Sequence, residues 1–247
     1  MGKIKIKKEE LIQLIEKGLK DSEIAEIMNV KTIGVYSARK RYNIVRESYS
    51  VNKSLELTNK HKEFFVGCLM GDGNMRLDNK CINPRFSCEH SMKQKDYVLY
   101  KFEILKDLNP FYKEAIRKTP DKRNGKLYES SIVRLNSNSS FLGIYNNFYK
   151  PKKVISNEVL EYYTPFAMAI HYMDDGYLSA NSYYIATNCF DDDSLYLFKN
   201  FLLDNYNIKT NIHKGNKLYI LKESKEIFTN LIKPYFIKSM MYKLHNI

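Results

Sequence analysis

The chain has 247 residues, 44% of them apolar and 13% aromatic, enough for one or two folded domains with a real core and too apolar for a disordered chain. Its formal net charge of +12, from 40 Lys and Arg against 28 Asp and Glu, favours a polyanionic partner. No apolar run approaches the roughly 20 residues that span a bilayer. The charged start "MGKIKIKKEE" lacks a signal-peptide core and has no Ser or Thr at position 6 for myristoylation, so the expectation is a protein that is not secreted.

In chain order, residues 9–45 predict three short helices. Leu11, Leu14 and Ile15 supply the first apolar stripe, with Gly18 as its stop. Asp21 or Ser22 is expected to cap a second helix, whose apolar face is Ile24, Ala25, Ile27 and Met28. Asn29 marks a turn, and Thr32 is expected to cap a third, basic helix. The run "DSEIAEIMNVKTIGVYSARKR" resembles a helix-turn-helix, whose third helix enters the major groove. That resemblance makes Lys31, Thr32, Tyr36, Ser37, Arg39, Lys40 and Arg41 candidate DNA contacts. Residues 1–46 are therefore expected to form a DNA-binding module, and the polar stretch 47–59 a linker.

From residue 60 onward a pattern repeats. "EFFVGCLMGDGNMRL" (63–77) and "FAMAIHYMDDGYLSA" (166–180) each begin as an apolar helix and end in Asp-Gly, at Asp72-Gly73 and Asp175-Gly176. A helix C-terminus carries partial negative charge and disfavours carboxylates, so two such endings point to a shared cation. Period-two stretches follow each motif, then a helical segment, then a hairpin with turn chemistry at Asn124-Gly125 or Gly215-Asn216. The expected fold is α+β, two pseudo-symmetric αββαββα halves covering about 60–150 and 151–247. The four cysteines form no CxxC pair, and Cys81, Cys88 and His90 lack a fourth ligand at zinc spacing.

"FVGCLMGDG" (65–73), "MAIHYMDDG" (168–176) and the C-terminal run "NLIKPYFIKSMMYKLHN" (230–246) resemble the monomeric, two-motif LAGLIDADG homing endonucleases. The resemblance covers roughly 60–247 and implies that the two motif helices pack side by side, beneath two sheets that straddle DNA as a saddle. It implies a metal site of Asp72, Asp175, Gly71 and Asp174, with Asp72 and Asp175 as the main ligands and Asp174 as their neighbour, and Lys153 and Lys243 as the basic residues beside them. Lys152 is the alternative to Lys153, and Asn188 is a candidate for ordering water or for a strand amide. The implied cofactor is Mg2+, two or more ions, with Mn2+ as a substitute and Ca2+ supporting binding without cleavage. The motif helices differ: Gly67 and Gly71 of the first correspond to Ile170 and Asp174 of the second, which makes their interface asymmetric.

The strands are expected to present Arg76, Lys80, Arg85, Arg117, Lys118, Lys122, Arg123, Arg134, Lys209, His213, Lys214 and Lys217 to double-stranded DNA. The implied function is a site-specific double-strand cut with short 3′ overhangs that supports mobility of a host intron or element. Two rivals share the scaffold: a non-cleaving transcription regulator, and a maturase that binds host intron RNA. The expected location is cytoplasmic or nucleoid-associated, or the organelle matrix for an organelle-encoded protein.

Overall fold

A computed structural model describes residues 6–17, 19–44, 54–78, 81–116, 120, 124–150 and 152–245. The chain divides into two compact units, Met1–Lys53 and Ser54–Ile247.

The first unit holds helices α1 (Lys8–Glu16), α2 (Asp21–Ile27) and α3 (Thr32–Arg41). Its core is Leu11, Ile24, Ala25, Val35 and Ala38, closed by Ile6, whose carbonyl accepts the Tyr42 hydroxyl at 2.7 Å. Asn29 takes the expected turn with φ of 47°. The expected caps are displaced by one residue: Lys20 and Lys31 are the extended cap residues, and Asp21 and Thr32 are the first residues inside their helices. Asp21 still favours α2 from there, as an anion in a helix's first turn. Gly18 lies outside the described residues.

The second unit runs α4 (Asn59–Met70), β1 (Gly73–Arg76), β2 (Arg85–Ser91), α5 (Lys95–Ile104), β3 (Phe111–Ile116), β4 (Glu129–Leu135), α6 (Leu142–Phe148) and α7 (Asn157–Leu160). It continues with α8 (Pro165–Asp175), β5 (Gly176–Ser179), β6 (Ser182–Ala186), α9 (Asp192–Tyr206), β7 (Thr210–His213), β8 (Lys217–Ile220) and α10 (Lys225–Ile232). Two antiparallel sheets result, ordered β1-β2-β4-β3 and β5-β6-β8-β7, so the same topology occurs twice. Gly125 (φ 66°), Gly215 (φ 79°) and Asn216 (φ 55°) are left-handed, as turns at those positions require.

Both motif helices start on threonine caps: Thr58 accepts from His61 N, and Thr164 from Ala167 N ahead of Pro165. Every residue of Phe64–Met70 and Phe166–Asp174 is buried. Helices apolar on all sides belong at the centre of a core, and α4 and α8 meet there. A Cβ on Gly67 would lie 2.5 Å from the Ala167 carbonyl oxygen and 2.8 Å from Ile170 Cβ. One on Gly71 would lie 2.4 Å from Asp174 Cβ. The two motifs are thus complementary: each glycine of α4 leaves the space that a larger residue of α8 fills. Among the described residues, no helix is long and apolar enough to cross a membrane.

Candidate metal centre and nucleic-acid interface

Because α4 and α8 pack along their length, their C-terminal ends come together. Gly71 ends α4 and Asp72 follows; Asp175 is the last residue of α8. The Asp72 amide donates to Asp174 Oδ2 at 3.3 Å, which ties the two motifs directly. The Asp72 side chain is 43% exposed. Burial, with the neighbouring Asp72 and Asp174 carboxylates, pushes the Asp175 carboxyl up to about 7. Burial and Asp174 also raise Asp72. Carboxylates crowded so that each resists ionisation form a site short of positive charge.

The two lysines converge on the same place. Lys243, buried, donates to the Met173 and Asp174 carbonyl oxygens at 2.6 and 3.1 Å and so caps the C-terminus of α8. Lys153 lies over the Phe190 ring at 5.5 Å. Burial pulls both amines below the ordinary lysine value, while Asp72, Asp174 and Asp175 oppose that fall in each case. Lys152 is exposed. Asn188 is exposed in the turn beyond β6, which corrects the expectation of a strand amide.

Asp174 differs most from the sequence reading. Its side chain is fully buried and paired with Lys101 Nζ at 2.6 Å, and it accepts the Tyr97 hydroxyl at 2.8 Å. Burial alone would lower the Lys101 ammonium, but the Asp174 carboxylate holds it well above the ordinary value. Asp174 is therefore held by an ion pair inside the core, and its carboxylate lies within 4.8 Å of ligand atoms of Asp72 and His90, a group that could hold a metal. Sequence reasoning missed Lys101 and Tyr97, and weighed His90 only as a zinc ligand. One signal was present: Lys101 falls on the buried stripe of α5 formed by Tyr97 and Val98, which Leu105 continues just past the helix end. The four cysteines are free thiols, and Lys101 donates to Cys88 Sγ and contacts His90 Nε2, where a zinc reading would need a metal.

The basic candidates divide into several groups. Arg76 and Arg85 face each other across β1–β2, and both bind Asp78, at 2.8 and 2.6 Å. Like charges opposite one another in a sheet repel, and Asp78 offsets that. Arg134 is half-buried on β4 opposite Ser87 and Phe111. His213, Lys214 and Lys217 are exposed around the β7–β8 turn, and exposed Lys209 lies 3.9 Å from Glu223. Lys80, Arg117, Lys118, Lys122 and Arg123 lie outside the described residues. In the first unit, Lys31, Thr32, Tyr36, Ser37, Lys40 and Arg41 are exposed. Arg39 is a correction: it is half-buried and binds Asp21 at 2.9 Å, so it holds α3 to α2. A feature not anticipated is a tyrosine row across the second sheet, with Tyr177, Tyr184 and Tyr219 at successive ring separations of 5.4 and 5.1 Å.

Two central helices ending in aspartates beneath paired four-stranded sheets define an α+β scaffold with internal twofold repetition. Residues 62–231 match the LAGLIDADG DNA endonuclease family, and the chain belongs to that family. It is 31% identical over 73% of its length to the cytochrome b mRNA maturase bI2 of Saccharomyces cerevisiae, though it spans only 46% of that protein. It is 28% identical over 77% of its length to the DNA endonuclease I-ChuI of Chlamydomonas applanata, covering 96% of it. Its fold resembles that of the homing endonuclease I-WcaI bound to its DNA recognition sequence, with a TM-score of 0.68 and 20% identity over 84% of this chain and 97% of that one.

Proposed function

We propose that this protein is a site-specific, magnesium-dependent DNA endonuclease that breaks both strands of a long target. The observation that carries this is the meeting of Asp72 and Asp175 at two helix ends, where burial, and next the neighbouring Asp72 and Asp174 carboxylates, push Asp175 up to about 7. The donor set fits magnesium, since carboxylate oxygens are hard ligands. Asp72 and Asp175 would hold the ions, one carboxylate for each strand's cut. Bound magnesium would lower the pKa of an attacking water and stabilise the departing oxygen. Lys153 and Lys243, with amines that release protons more readily than ordinary lysines, would orient the water and the scissile phosphates. The sheets would read the major groove through the residues around Arg76, Arg134, His213 and Lys217, and residues 1–46 would add a helix-turn-helix contact through α3. We further infer a monomer that leaves short 3′ overhangs and supports mobility of its host intron or element.

The test is incubation of the purified protein with the uninterrupted version of the gene that carries its reading frame. Defined double-strand cleavage is expected in Mg2+ or Mn2+, with binding but no product in Ca2+ and no product in EDTA. Maturases are among the relatives: the yeast protein and a Debaryomyces hansenii protein, 28% identical to this chain, are both named as cytochrome b mRNA maturases, so intron-RNA binding is the second reading. Tight intron-RNA binding with no cut under any metal would replace the first reading with the second.

A further inference from the structure

The two central carboxylates stand on different supports. Behind Asp72, His90 on β2 is buried with its side chain 3% exposed, and its Nδ1 lies 3.5 Å from Asp72 Oδ2, within ion-pair range and longer than an ordinary hydrogen bond. On its other edge, Nε2 lies 3.0 Å from Lys101 Nζ. Nε2 also lies 3.3 Å from Cys88 Sγ and 3.6 Å from Asp174 Oδ1; beside an ammonium, which carries donors and no acceptor, we assign Nε2 as the acceptor from Lys101. The ring proton is thereby placed on Nδ1, facing Asp72. Lys101 is itself fixed by Asp174 Oδ1 at 2.6 Å, and Asp174 Oδ2 accepts the Asp72 amide at 3.3 Å. One buried ion pair thus reaches Asp72 twice, through its backbone and through its side chain.

The second half lacks this arrangement. Cys88 pairs with Gly73 across β1–β2 as Ile185 pairs with Gly176 across β5–β6, so the place matching His90 is Thr187. The Thr187 hydroxyl donates instead to the Asn216 carbonyl oxygen at 2.6 Å. The seventh residue of α5 is Lys101, whereas the seventh of α9 is Phe198, packed against Tyr163 at a ring separation of 5.0 Å. The Asp175 carboxylate makes no hydrogen bond or ion pair with the described residues.

We propose that His90, held by Lys101 and Asp174, is a positioning residue for Asp72, and that it makes the two strand cuts unequal. This rests on the nuclease reading above. The cut that depends on Asp72 needs the His90 strut, and the cut that depends on Asp175 does not. Outer partners that orient metal-ligating groups typically contribute 10- to 100-fold to activity, so the asymmetry is large enough to read on a gel.

The experiment follows each strand separately, with a different end label on each, in target DNA cut in Mg2+ by the wild type and by His90→Ala, His90→Asn and His90→Gln. His90→Ala should slow one strand by about tenfold or more and the other by less than about twofold, with nicks collecting in a single strand. The Asn amide sits where Nδ1 does and should restore balanced cutting, while the Gln amide reaches toward Lys101 and should not. Melting and Ca2+-supported DNA binding verify that each variant is folded; should His90→Ala fail to fold, the Asn and Gln pair decides. Equal slowing of both strands, slowing of neither, or Asn and Gln variants that behave alike would overturn the proposal. A wild type that binds target but cuts neither strand removes the nuclease reading, and this proposal with it.

Discussion

Replacing Lys101 by Met tests the central packing most severely. The Lys101 and Asp174 side chains are both 0% exposed and only 2.6 Å apart, and Met fills similar volume without charge. Breaking a buried ion pair from one side leaves an uncompensated charge and costs about 3–5 kcal/mol. For a unit of 150–250 residues each kcal/mol lowers the melting temperature by about 2–4 °C, so Lys101→Met should melt roughly 6–20 °C below wild type. The assay is thermal unfolding followed by far-UV circular dichroism at pH 7.5. The double variant Lys101→Met with Asp174→Asn keeps an acceptor for the Tyr97 hydroxyl and should recover most of the loss. A loss under about 1 kcal/mol, or one that the second substitution does not relieve, would refute the buried pair as a structural element.

Two further outcomes are expected. Asp175 is raised to about 7 by burial first and by Asp72 and Asp174 next, so the cation-free protein binds that proton more tightly folded than unfolded. Stability from this group is full below the ordinary carboxyl range and is lost as pH climbs to about 7; millimolar Mg2+ should raise the melting temperature more at pH 8 than at pH 5, by scanning fluorimetry. In the first unit, Arg41→Ala should weaken DNA binding evenly across sequences and lower the salt slope by about 1. Arg39→Ala should instead speed amide exchange in α2 and α3, because it removes the bond to Asp21; unchanged exchange would return Arg39 to the DNA contacts.

The chain repeats its main idea in local signals, which is why so much of the fold was readable. Helical apolar runs ending at Asp72-Gly73 and Asp175-Gly176, alternating strands, and turns at Gly125 and Gly215 each act within a few residues. The cap positions at Lys20 and Lys31 were misplaced by one residue, since Asp21 and Thr32 suit a first turn as well as a cap. The buried cluster was a different problem. Lys101, His90, Tyr97 and Asp174 come from α5, β2 and α8, and only folding brings them together. The mismatch of Gly71 with Asp174 looked like asymmetry in the sequence; packing shows it as a fit, with room left by one residue for the other. The tyrosine row needed sheet register, which places Tyr184 between Tyr177 and Tyr219.

The central claim is that Asp72 and Asp175 together hold the ions that cut DNA. Its most direct measurement compares Asp72→Asn and Asp175→Asn with wild type, on target DNA, for binding in Ca2+ and for cleavage in Mg2+. The account predicts that both variants bind within a few-fold of wild type and yield no double-strand product. Full double-strand cleavage by either variant at close to the wild-type rate would contradict it.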